Sequence, residues 1–288
     1  MRANDAPWLA DVQPSSACYL AGMPQLGYQG LSENWLLKEC GHLHWTGLAD
    51  KLGKATPEFI DDEGRKAYAA FIAVRVRAYS PAIRENQSFV VRSALMQVAQ
   101  ARHFSAHALQ PNEEAGTLAE AARWQVEMLS TLVFRREADN NQSVMRASFS
   151  AAPNIQSTPE AEELMETSMR MRKGVWSECM GFSRVERRNL KQMSFLPCPD
   201  IDFNGANFLY FANFQAFVER AEWQWFGRMT HLVEREMYFY SNLNVGDRLV
   251  VQLCDLHMAA DGMRTWCEVQ SEGGRKLADV FTHKRYSI

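Results

Sequence analysis

Asp200-Ile-Asp-Phe-Asn-Gly-Ala-Asn-Phe-Leu-Tyr-Phe-Ala-Asn-Phe214, running on through Phe217 and Glu219-Arg-Ala221, is where the chain declares its period most clearly. From Phe208 onward, Phe208, Phe211, Phe214, Phe217, Val218, Ala221 and Trp225 recur three or four positions apart. That spacing stacks them on one side of an α-helix and predicts a single buried helix starting at Phe208. Downstream the alternation shortens to every second residue in Met237–Tyr240, Arg248–Leu253, Thr265–Val269 and Leu277–Phe281, the pattern of successive half-buried strands. Asn244-Val-Gly-Asp247, Ala260-Asp-Gly262 and Glu272-Gly-Gly274 separate them and supply the positive φ angles that tight connections need. A long helix followed by an antiparallel meander is an α+β layer, with the helix lying on the apolar face of the sheet.

The first half repeats this order. A glycine-led helix begins near Ser32 and carries Leu31, Trp35, Leu36, Cys40 and Leu43. Alternating stretches follow at Tyr68–Val76, Ser88–Val98, His103–Leu109, Gln125–Phe134 and Ser143–Phe149. Polar stretches lie at Gln110–Glu120 and from Ser150 to Glu163, and a Met-, Arg- and Glu-rich segment, Met165–Arg188, reads as a connecting helix. The expected division is therefore an N-terminal domain over 1–150, a connection over 151–194 and a C-terminal domain over 195–288.

With 31 basic and 34 acidic residues the chain carries a formal charge of -3, which gives no overall attraction to nucleic acid or to an anionic membrane. Residues 1–13 hold neither a basic cluster nor an apolar run, and no long uncharged apolar stretch follows, so a cytoplasmic location is expected. The six cysteines are scattered without a Cys-x-x-Cys pair, and His42 and His44 fall on different helix faces, so no metal site is expected.

The Asp200–Phe214 stretch, with the helix after it and the Gly246-Asp247 turn, resembles the Asp-x-Asp-x-x-Gly motif and following helix of hotdog-fold acyl-CoA thioesterases. The first-half segment Gly30-Leu-Ser-Glu-Asn-Trp-Leu-Leu-Lys-Glu-Cys-Gly-His-Leu-His-Trp45 resembles the helix of double-hotdog acyltransferase/decarboxylases of polyketide pathways, the leinamycin type, a likeness that would extend over nearly the whole chain. The resemblance implies a double hotdog, two tandem units whose sheets join edge to edge. It also implies a methylmalonyl- or malonyl-thioester substrate, decarboxylation, and delivery of the acyl group to an acyl carrier protein. Coenzyme A enters as part of the substrate, no separate cofactor is implied, and a monomer or homodimer would suffice. The family's active-site tyrosine is matched by Tyr68 in Lys66-Ala-Tyr-Ala-Ala-Phe71, and the thioesterase carboxylate by Asp202.

Decarboxylation of a malonyl-type thioester builds negative charge on the thioester oxygen, and helix N-termini offer free N–H groups and a favourable dipole there. Ser32, Glu33 and Asn34 lie at the first such terminus; Asn204, Gly205 and Asn207 lie at the second. Asn34 is the catalytic candidate among them and the others are substrate-binding candidates, while Ser32 equally suits a helix cap and Asn204 and Asn207 a turn. Asp202 can serve as a general base for hydrolysis or as a turn-forming carboxylate, and Tyr68 as nucleophile, acid or packing residue. Trp223, Trp225, Phe226, Tyr238, Phe239 and Tyr240 are candidates for an acyl channel or for core. Arg75, Arg77, Arg84, Arg92 and Arg102 suit phosphates, a carrier protein's acidic face or a solvated strand face. Hydrolysis by a thioesterase, a dehydratase-like reaction using a histidine and an acid, and a non-catalytic acyl-binding role stand beside the acyltransferase/decarboxylase reading.

Overall fold

The computed structural model describes residues 15–79, 83–111, 123–150 and 154–287. Most of the polar stretch Gln110–Glu120 therefore lies outside the described residues. In the first unit, β1 (Ser15–Leu20) precedes α1 (Glu33–Lys51), which is followed by β2 (Lys66–Tyr79), β3 (Ser88–Ala99), β4 (Arg102–Pro111) and β5 (Arg123–Arg135). A linking helix, α2 (Pro159–Lys173), leads to β6 (Lys191–Phe195), α3 (Phe211–Phe226), β7 (Thr230–Phe239), β8 (Leu249–Met258), β9 (Gly262–Ser271) and β10 (Lys276–Tyr286).

The strands follow one another across a single antiparallel sheet in the order β1-β3-β4-β5-β2-β7-β10-β9-β8-β6. Read from its two ends the order is the same: edge strand, three strands of the meander, then the strand that directly follows the helix. Each half is one hotdog unit and the whole is a double hotdog. The halves meet where β2 pairs with β7, from Ala73 opposite Tyr238 to Arg77 opposite Glu234.

Both long helices lie on one face. There Phe214, Phe217, Val218 and Ala221 of α3 and Leu36, Leu37 and Cys40 of α1 share a core with Val74, Met128, Met237, Val251 and Val280 of the strands. Each large apolar side chain removed from water contributes roughly 2 kcal/mol, so this face dominates the fold. The opposite face is covered by α2, whose Ala161, Leu164 and Met171 pack with Leu129, Tyr238, Trp266 and Phe281.

Local chemistry accounts for the ends of these elements. Ser32 Oγ accepts the Trp35 N–H at 3.3 Å and caps α1. Thr158 does the same for α2 from Ala161 N–H, and Gly174, with φ 66°, ends α2 in the left-handed conformation. The connecting helix thus occupies 159–173 rather than Met165–Arg188, because Gly174 terminates it. The helix expected from Phe208 begins at Phe211: Asn204 Oδ1 accepts the N–H groups of Ala206 and Phe208, and Asn207 adopts φ 58°, so residues 204–210 form a turn instead. Two strands had no sequence signal, β1 and β6, and all of β6 but Phe195 lies inside the stretch 151–194 read as connection.

The two helices cross closely at Gly41. A Cβ there would stand 2.8 Å from Phe211 Cε1, closer than a methyl group tolerates, so glycine is required inside α1 despite its cost to the helix.

Candidate active site

β2 is longer than the strand it meets across the seam. Beyond the Ala73–Tyr238 pair, residues 66–72 of β2 continue while the chain after Phe239 turns away, and the sheet opens between them. The 204–210 turn stands over this opening. Two adjoining clefts result, of about 400 Å³ and about 450 Å³, which share Ala69, Phe71, Asn204, Phe208 and Tyr210 as a common wall.

The 450 Å³ cleft brings together Tyr68, Asn204 and Gly205 with Lys66, His42, His44 and Phe208. The Tyr68 ring meets Phe208 edge to face with centroids 5.5 Å apart. Two cations flank it: Arg135 Cζ lies 5.2 Å and Lys66 Nζ 5.7 Å from the ring centroid. Arg135 is itself fixed, stacked 3.9 Å over Phe208, donating to Asn141 Oδ1 at 2.9 and 2.7 Å and to the Ala206 carbonyl. Buried Asn141 in turn donates to the carbonyls of Asn207 and Leu243. A first-unit arginine and asparagine thereby latch the second-unit turn that roofs Tyr68. Among the described residues the Tyr68 hydroxyl takes no hydrogen bond, which leaves it free for a ligand.

His44 borders the same cleft from α1 and is fully buried. Its Nδ1 lies 2.7 Å from Ser105 Oγ and its Nε2 2.8 Å from Ser130 Oγ. Ser105 Oγ continues to His107 Nε2 at 2.9 Å, and His107 Nδ1 to Ser93 Oγ at 2.7 Å. Loss of hydration, with the neighbouring His107 and His103, holds the His44 imidazole well below its usual titration range. Burial alone pushes His107 down to about 3. Both rings are neutral near pH 7.

The remaining sequence candidates lie outside both clefts. Asp202 is buried at 5% exposure, and its carboxylate accepts the Cys198 N–H at 2.8 Å, closing the helical turn Pro199–Asp202. Asn34 Nδ2 donates to the Ala212 carbonyl at 3.0 Å and to Asn213 Oδ1 at 3.2 Å, tying the start of α1 to that of α3. Glu33 is paired with fully buried Arg235 at 2.7 Å, and Ser32 is the α1 cap. Asn207 supplies a left-handed turn residue.

Among the basic candidates, Arg75 is buried in pairs with Glu236 and Glu127, and Arg77 is paired with Glu234. Arg102 alone of that group lines a cleft. Of the aromatic candidates, Phe239 and Tyr240 line the 400 Å³ cleft, Tyr238 is buried against Glu236 and Trp223 is 54% exposed. Sequence reasoning missed Arg135, Asn141 and Phe208 as site residues. Arg135 and Asn141 meet the 204–208 turn across 71 and 66 residues of chain, respectively, so no local pattern links them.

No family model matches the sequence, and no curated protein does. Solved structures do match in three dimensions. The 12:0-ACP thioesterase from Umbellularia californica superposes over 95% of this chain and 98% of its own, with a TM-score of 0.63 at 9% identity. An acyl-ACP thioesterase from Bacteroides thetaiotaomicron superposes over 94% of this chain and 97% of its own, with a TM-score of 0.58 at 9% identity. The shared property is the fold. At such identity the likeness fixes how both hotdog units are arranged and carries no residue roles with it.

Proposed function

We propose that this chain is an acyl-thioester enzyme whose reacting centre is the Tyr68 cleft, and that it converts a malonyl- or methylmalonyl-thioester into an acyl group on an acyl carrier protein. The observation that carries the reading is the Tyr68 phenol, without a hydrogen bond among the described residues, in a cleft flanked by Arg135 and Lys66. These cations suit the free carboxylate of a malonyl-type substrate. The names of the structural relatives, thioesterases of acyl-ACP, support a thioester as the substrate class.

In this reading the Tyr68 oxygen attacks the thioester carbonyl, an acyl–O bond forms, the C–S bond breaks and the thiol departs with a proton. The carboxylate then leaves as carbon dioxide and its bonding electrons pass to an enolate, which takes up a proton at carbon. The carrier thiol attacks the ester carbonyl, and tyrosine leaves. Desolvation inside the cleft strengthens the attraction between the enolate oxygen and the flanking cations.

Mass spectrometry of the protein with methylmalonyl-CoA, malonyl-CoA and acetyl-CoA, with and without holo carrier protein, tests this. Propionyl or acetyl on the carrier with carbon dioxide release is expected, and Tyr68→Phe abolishes it. Thioester hydrolysis is the second reading, favoured by the relatives' names, with Asp202 as its candidate base from the sequence motif. It requires free acid and coenzyme A as the products and their loss in Asp202→Asn.

A further inference from the structure

The 400 Å³ cleft ends in three arginines. Arg102 on β4, Arg146 on the short strand Val144–Arg146 and Arg172 on α2 all line it, and no aspartate or glutamate does among the described residues. None of the three makes an ion pair among the described residues, in contrast to Arg75, Arg77, Arg187, Arg188 and Arg235. Arg172 donates to the Phe239 carbonyl at 2.8 Å and is thereby held at the rim.

Among the described residues, two polar atoms of side chains lining this cleft are buried without a partner. Arg102 Nε takes no hydrogen bond, and neither does Thr131 Oγ1. Arg102 and Thr131 are directly opposite one another on β4 and β5, and Arg146 faces Val133, two positions along β5 from Thr131. Two unpaired donors side by side in a buried position cost free energy unless something accepts from them. Burial, with the charges of Arg146 and Arg172, lowers the Arg102 pKa, so like charges crowd here without compensation. An anion with several acceptor oxygens answers both defects, and phosphate matches the arginine fork.

We propose that the Arg102–Thr131–Arg146–Arg172 end of the cleft is a subsite for the phosphate ester of a pantetheine-bearing thioester. The inference rests on the acyl-thioester reading of the neighbouring cleft. Because both clefts share the wall formed by Ala69, Phe71, Asn204, Phe208 and Tyr210, a pantetheine arm entering from the arginines is directed towards Tyr68. The aliphatic and aromatic lining between, Ile72, Phe211 and Phe214, suits that uncharged arm. The phosphate has two sources: the diphosphate of coenzyme A or the phosphodiester that joins the arm to a carrier protein.

Titration calorimetry of the full chain with coenzyme A, 4′-phosphopantetheine and unphosphorylated pantetheine decides the matter. The phosphorylated ligands are expected to bind at least about tenfold more tightly than pantetheine, the scale of one or more charge-assisted hydrogen bonds. In Arg146→Gln, an exposed position, and in Arg102→Gln, that advantage falls by about tenfold while pantetheine binding is unchanged. Equal affinity of phosphopantetheine and coenzyme A points to the ester nearest the arm, and preference for coenzyme A to its diphosphate end; both sustain the proposal. No binding, equal binding of all three ligands, or an unchanged phosphate advantage in both variants overturns it. Phosphate-dependent binding without turnover of any thioester would instead sink the catalytic reading and leave the subsite standing.

Discussion

The two halves of the sheet share a strand order and differ in what they hide beneath their helices. Under α1 the polar groups are uncharged: His44, Ser105, Ser130, His107 and Ser93 form one chain of hydrogen bonds. Beneath α3 they are ions. Arg235 is bound by Glu33 and Glu219, Lys284 by Glu219 and Glu222 at 2.6 Å each, and Thr265 and Thr282 complete the set. The same architecture has accommodated buried polar atoms in two ways with opposite weaknesses. An ionic network fails when a member is deleted, because the partner stays buried with its charge. A neutral network of histidines fails when a proton is added.

Deletion in the ionic half carries the largest expected effect. Arg235→Leu leaves Glu33 and Glu219 without their shared cation and is expected to cost about 3–5 kcal/mol, read from urea unfolding. A loss under 1 kcal/mol would erase the contrast between the halves. Acid tests the neutral half. The folded-state pKa values of His44 and His107 are depressed below the ordinary 6.5, so unfolding takes up protons in acid. The stabilisation from both is complete above pH 6.5 and declines as pH falls from there, for His107 down to about 3. By pH 5 the loss is about 2 kcal/mol for His107, and His107→Gln should flatten the slope of stability against pH.

Gly41→Ala tests the contact between the halves themselves. Pressing a methyl group against Phe211 is expected to cost about 1–3 kcal/mol, and a Phe211→Leu background should recover part of it in thermal unfolding. Smallest is Ser32→Ala, about 1 kcal/mol from the lost cap of α1, with acyl transfer at the Tyr68 cleft unchanged. A fall in turnover larger than the fall in stability would return Ser32 to the substrate site.

Much of the fold was legible because helix α3 buries one regular face and strands β7 to β10 carry long buried apolar runs bounded by turn residues. The edge strands β1 and β6 escaped because β1 has no fully buried residue and alternates only between exposed and half-buried ones, as does β6. The start of α3 was misplaced for a different reason. Phe208 keeps the helical spacing, yet the hydrogen bonds of Asn204 override it and present that ring to Tyr68 and Arg135. Of the candidate cleft, the sequence offered only residues inside two short motifs, Tyr68 in one and Asn204 and Gly205 in the other. Arg135, Asn141, Thr131 and Arg146 reach their positions through strand register and a hairpin, and register is a property of the folded sheet.

The β2–β7 seam has a genetic consequence. In a homodimer of single hotdog units, every substitution near the joint is written into both sides at once, and a change that improves one pocket is imposed on its mirror image. Here the joint lies within one gene product, so each side of it mutates separately. Arg135 could be recruited to brace the turn over Tyr68 without any counterpart being disturbed across the axis, and the ions beneath α3 could accumulate while the other half kept its imidazoles.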